Sequence, residues 1–148
     1  MKLKTTFLFL AFFTFSYLSA QDSPDEIVET FFNKYKNEGS TVALDYLYDL
    51  NDWISKSSDD VIALKNQMSN LTEDYVGKYY GYEHILDKHL SDCYELKSFV
   101  VKYERQPLRF TFQFYKPNDK WMFHGFSYDA NLTEEIKESA RLHNNRLH

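Results

Sequence analysis

Among residues able to carry chemistry, the chain's five histidines come first. His84 and His89 stand five apart, His124 lies well beyond them, and His143 and His148 fall in the final residues. None pairs with a second histidine or a carboxylate at zinc-ligand spacing, so neither a metal nor a cofactor is expected. Acid–base catalysis needs a titratable group in a dry pocket beside a partner. His124 is the candidate, because strand alternation groups it with Met122, Phe126 and Tyr128 on a face that can line a cavity. The competing reading caps the sheet edge with an exposed His124 ring. Glu83 and Asp87 stand behind it. The chain has no Gly-x-Ser-x-Gly elbow, no glycine-rich phosphate loop and no Cys–His pairing. Cys93 is its single cysteine, which excludes an intrachain disulfide. It reads as a small buried hydrophobe in a strand, with an intermolecular disulfide or a reactive thiol as the alternative.

Aromatic residues are the second resource, with 12 tyrosines and 13 phenylalanines. Gly77 and Gly81 bracket Tyr79 and Tyr80, and Tyr82 follows. Tyrosine offers an apolar ring with a polar tip, which suits a pocket for a small apolar or aromatic ligand. The same residues can instead seal the joint between helices and a sheet. The candidate ligand-binding set is Tyr79, Tyr80, Tyr82, Trp121, Met122, His124, Phe126 and Tyr128.

These residues are held by elements that the pattern makes legible. Ser23-Pro24-Asp25-Glu26 is a capping box with proline at the first helical position. Ile27, Phe31 and Tyr35 then give a buried stripe ending at Gly39, expected in a left-handed conformation. Ser40 or Thr41 caps a second helix through Ala43, Leu47, Leu50 and Ile54. A third follows Ser57-Ser58 and carries Val61, Leu64, Met68, Leu71 and Tyr75 to Gly77. The helical part spans about residues 24–76.

A sheet over about residues 80–129 comes next. Its strands are expected at Glu83 to Leu90, Tyr94 to Tyr103, Leu108 to Tyr115 and Trp121 to Tyr128. In the third, Leu108, Phe110, Phe112 and Phe114 alternate with Arg109, Thr111, Gln113 and Tyr115, so the Phe row faces the helices. In the second, Phe99, Val101 and Tyr103 share one face and Leu96, Ser98 and Val100 the other. The fourth is apolar on both faces, with Gly125 able to admit a bulge. A C-terminal helix is expected over about residues 132–142, before a frayed His143–His148 tail.

Residues 1–20 read as a secretory signal peptide: Lys2 and Lys4, an apolar run from Thr5 to Leu18, and small residues before a cut after Ala20. One domain, 21–148, follows, expected to be exported to a periplasm or secreted, with no membrane association after cleavage. The chain carries 17 basic and 22 acidic residues, a net charge of −5, and two of the lysines lie in that leader. Without a clustered basic footprint, no nucleic-acid partner is expected. Asn70 and Asn131 match the glycosylation acceptor pattern.

The order of elements, with the run YERQPLRFTFQFYKPNDKW from Tyr103 to Trp121, resembles small exported proteins of the nuclear-transport-factor-2-like (NTF2-like) superfamily. The resemblance implies helices packed into a strongly curved sheet, forming a cone whose hollow binds small molecules. Enzymes of the superfamily place an Asp or His inside the cone; no residue here matches those positions, so no catalytic role carries over. The expected fold is therefore α+β, N-terminal helices on a curved antiparallel meander with a short C-terminal helix. The leading functional reading is an exported small-molecule-binding or interaction domain. Its alternatives are a cofactor-independent isomerase, dehydratase or hydrolase working through His124 or a cavity carboxylate, and a homodimerisation module using the sheet face.

Overall fold

A computed structural model of the chain describes residues 23–134 together with Ile136 and Lys137. The signal-peptide segment, most of the expected C-terminal helix and the histidine tail lie outside the described residues. Helix α1 runs Pro24–Glu38. Its capping box closes as the sequence requires: the Ser23 amide donates to the Glu26 carboxylate at 2.7 Å and the Glu26 amide to Ser23 Oγ at 3.3 Å. Two of the helix's unpaired amino-terminal groups are thereby satisfied or screened.

Gly39 (φ 98°, ψ 170°) turns the chain directly into α2, Ser40–Asp49. This is the extended mirror region open to glycine, not the left-handed helical one, and Gly39 itself is the N-cap in place of Ser40 or Thr41. Helix α2 also stops before Leu50 and Ile54 can continue its stripe. Asn51 is the reason: its buried side chain donates to the Phe123 carbonyl at 2.8 Å and accepts from the Trp53 amide at 3.0 Å. That local bond competes with helix continuation and leaves Trp53 88 % exposed.

Helix α3 spans Asp59–Ser69, and a single turn, α4, spans Glu73–Val76. The third helix expected as far as Gly77 is thus two pieces. Asn70 ends α3, and Thr72 adopts an extended conformation (φ −76°, ψ 161°) before α4.

Four strands follow: β1 Tyr79–Ser91, β2 Tyr94–Tyr103, β3 Pro107–Tyr115 and β4 Met122–Asp129. They pair antiparallel in the order β1-β2-β3-β4. The expected curved sheet around a hollow is corrected here: the sheet is open, with β1 and β4 as its edges among the described residues. Closure demands strands enough, and tilt enough, to bring the two edges together, and a four-strand meander in simple order supplies neither. Side chains from α1 also fill the space over the inner face. The Phe31 ring lies 5.0 Å from Phe112 and 5.5 Å from Phe126, and Phe32 stacks on Tyr82 at 3.7 Å.

The β3 alternation holds, with Leu108, Phe110, Phe112 and Phe114 all in the core. In β4 it is reset. Gln113 pairs with Gly125 and Phe114 with Phe123, so His124 is an extra residue, a bulge. Phe123, Phe126 and Tyr128 therefore all turn toward the helical side: Phe123 meets Tyr48, Phe126 meets Phe31, and Tyr128 meets Phe110. The apparent two-sided apolar strand is one face interrupted by a bulge.

Gly77 (φ 83°) joins α4 to β1 under the β2–β3 turn, where the Glu104 amide donates to Lys78 O at 2.9 Å and the Arg105 amide to Val76 O at 3.1 Å. A Cβ at Gly77 would stand 2.6 Å from Glu104 Cβ, whereas one at Gly39 would meet nothing within 4 Å. Both alanine variants carry backbone strain of about 1–3 kcal/mol. Gly77→Ala is expected to cost clearly more than Gly39→Ala in urea melts, since it must also displace the turn. Equal losses would mean that the turn yields freely.

Candidate functional site

Tyrosines from α1 and from the start of β1 and the end of β2 gather at one end of the helix–sheet joint. Tyr35, one α1 turn beyond Phe31, hydrogen-bonds through its hydroxyl to that of Tyr103. Tyr79 packs beside both, with ring centroids 5.7 Å from Tyr35 and 5.8 Å from Tyr103. A register shift between Tyr79 and Tyr82 lets the strand carry Tyr79, Tyr80 and Tyr82 around the same corner.

Two depressions open there. One, of about 400 Å³, is lined by Phe32, Asn33, Lys36 and the run from Tyr79 to Tyr82. The other, of about 300 Å³, includes Tyr35, Lys36, Met68, Glu73, Tyr79 and Tyr103. Lys36 and Tyr79 line both, so the two adjoin, and together they are the tyrosine groove.

Burial sets the chemistry of these phenols. It pushes Tyr79 up to about 12, helped by neighbouring Tyr82 and Tyr35. Burial, followed by the neighbouring Tyr35 hydroxyl, also raises Tyr103, and burial outweighs the Tyr103 hydrogen bond in raising Tyr35. All three hydroxyls remain protonated at neutral pH, serving as hydrogen-bond partners and not as tyrosinate bases.

The remaining candidates lie elsewhere. Tyr128 lines a third depression of about 270 Å³ with Gln67, Asn70, Leu71 and Tyr75. Phe126 packs on the core phenylalanines Phe31, Phe110 and Phe112. Trp121 sits under Lys116, whose Nζ is 5.1 Å from its ring centroid. Met122 starts β4, paired with Tyr115.

His124 does not share a face with Phe126 and Tyr128. The bulge sends it, exposed, to the other side, with its ring 5.7 Å from Tyr94 and 6.2 Å from Tyr115. Cys93 is exposed in the β1–β2 turn, its Sγ 3.0 Å from Ser91 Oγ, in place of the buried strand position expected. A two-residue reversal between paired Ser91 and Tyr94 leaves it no interior to enter. Among the described residues, no cluster of three His, Cys, Asp or Glu side chains can hold a metal ion.

One constellation escapes motif reasoning altogether. Lys97, 3 % exposed, lies on the inner face of β2. Its Nζ reaches Asp25 at 2.7 Å, Glu95 at 2.8 Å and Asp87 at 3.1 Å. His84 Nε2 completes the group, 2.8 Å from Asp87. Extending the Tyr103–Val101–Phe99 alternation by two steps would have put Lys97 and Glu95 inward.

Burial pulls the Lys97 ammonium down, but its hydrogen bonds to Asp25, Glu95 and Asp87 outweigh that and hold its pKa above 10.5. At Asp87 burial pushes upward, and the bonds from His84 and Lys97 prevail, holding the carboxyl below 3.8. A lysine kept charged this firmly is neither nucleophile nor base. It ties the first turn of α1 to β1 and β2.

Comparison with protein-family models, curated proteins and solved structures finds no match for the chain.

Proposed function

We propose that this protein is a binding module, exported by its first twenty residues, that takes a small molecule in the tyrosine groove between α1 and β1. The observation that carries the reading is the joint itself: about 400 Å³ between Phe32, Asn33 and Lys36 on the helix and Tyr79, Tyr80, Gly81 and Tyr82 on the strand. Flat rings supply apolar contact, while hydroxyl, amide and ammonium groups at the edges orient a ligand. Tyr80 is 58 % exposed and available to a ligand without being needed for the core.

Fluorescence titration with the neutral probe N-phenyl-1-naphthylamine tests this. Tyr80→Ala is expected to weaken probe binding about fivefold. Tyr115→Ala, an exposed ring on the outer face of β3, should leave it unchanged. Equal binding by wild type and Tyr80→Ala would place the ligand elsewhere and defeat the reading.

A further inference from the structure

The groove is uneven in charge, and this bears on what it binds. Among the described residues, Lys36 is the only cation lining either depression, and it lines both. Several other lysines among the described residues are committed: Lys34 to Glu38, Lys56 to Asp49, Lys65 to Asp45, Lys97 to its three carboxylates and Lys102 to Glu83. Lys36 makes no ion pair among the described residues. A second positive charge stands at the rim, with Lys78 Nζ 5.9 Å from the Tyr80 ring centroid. The opposing charges are set apart: Glu73 lines only the second depression, and Glu29 acts on Tyr82 from beside the first.

From this we infer that the ligand is a planar ring compound bearing a single anionic group, its ring against Tyr79, Tyr80 and Tyr82 and its acid at Lys36. The inference rests on the groove being the binding site. An uncommitted ammonium at the junction of two depressions gains a partner when an anion arrives, and no existing ion pair has to break. The carboxylates Glu29 and Glu73 offset the positive field of Lys36 and Lys78, so a single acidic group is the charge inferred for the ligand. Electrostatic complementarity of this kind discriminates between ligands more than it adds raw affinity. The aromatic walls hold the ring whether or not the acid is present, which makes the two contributions separable.

The test compares two probes with nearly the same ring system: 8-anilinonaphthalene-1-sulfonate, which is anionic, and N-phenyl-1-naphthylamine, which is neutral. Wild type is expected to bind the anionic probe about fivefold more tightly at low salt, the scale of a single partly exposed ion pair. That preference should shrink in 0.5 M salt, where charges are screened over about 4 Å. Lys36→Gln should abolish the preference by weakening the anionic probe, and Lys36→Arg should keep it. Equal affinity for both probes in wild type, or a preference that survives Lys36→Gln, overturns the anion inference. The groove reading still stands in that case if Tyr80→Ala weakens the neutral probe. If Tyr80→Ala weakens neither probe, the groove reading falls and takes this inference with it.

Discussion

Phe112→Ala is expected to destabilise the fold by about 3–5 kcal/mol, the range for truncating a buried phenylalanine. Phe112 is fully buried at the meeting point of helix and sheet. Its ring lies 5.0 Å from Phe31, 5.8 Å from Phe32 and from Phe99, and 5.2 Å from Phe126. These neighbours come from α1, β2 and β4, which cannot all collapse inward at once, so the cavity left behind stays open. Such a loss is a large part of a small domain's total stability. Urea denaturation provides the measurement, and a loss below about 1 kcal/mol would contradict the packing described. Thr111→Ala, one residue away on the outer face, is the control and should cost little.

Lys97→Met has the second-largest expected effect, a loss of about 3 kcal/mol near neutral pH. Methionine fits the space, but Glu95, itself 6 % exposed, is left as a buried carboxylate without its ammonium. The double variant Glu95→Leu/Lys97→Met should recover much of the loss, because removing both charges removes the uncompensated one. Asp25→Asn should cost under about 1 kcal/mol, since that side chain is largely in water.

The pH dependence follows from the direction of the two shifts. Asp87, held below 3.8, contributes stability that is present above that value and lost as pH falls through its lowered folded pKa. Lys97, held above 10.5, contributes stability that is fully present below that value and lost as pH rises through its raised folded pKa. The gap between wild type and Lys97→Met should therefore be largest near neutral pH. It should narrow toward strong acid, where the stranded carboxylates take up protons. A gap independent of pH down to pH 2 would show that Lys97 acts by packing alone.

Legibility in the sequence tracked how strictly each segment kept a single period. β3 kept period two from Leu108 to Tyr115 between two turn-forming stretches, so its buried row could be named residue by residue. The start of α1 was equally legible, because Ser23, Pro24 and Glu26 act on one another within a single turn. β4 was not: one inserted residue, His124, exchanges the faces of everything before it relative to everything after it. Period counting then mistakes a bulge for a strand with two apolar faces.

Three register shifts between Tyr79 and Ser91 break the alternation of β1 and hide its beginning before Glu83. The helical stripe beyond Met68 continued through Leu71 and Tyr75 in hydrophobicity but not in backbone, since Asn70 and Thr72 favour local bonds over helix. Of the groove, the tyrosines were legible as a cluster. Lys36 was not, because nothing in a helical pattern tells a solvent-facing lysine from one at the mouth of a depression. Lys97 and Glu95 occupy positions that alternation assigns to the core, but their charge hides this from a pattern of apolar residues.

The broken register of β1 has a consequence for the protein as a population of molecules. An edge strand of 13 residues offers a long template on which a second chain can grow a sheet. Here the template is interrupted three times, and Glu83, Asp87 and Lys88 add charge along it. An incoming strand finds matching donors and acceptors only over short runs before falling out of step. β4, the opposite edge, is interrupted by its own bulge at His124. Among the described residues, both edges of the sheet are thus poor seeds for edge-to-edge polymerisation.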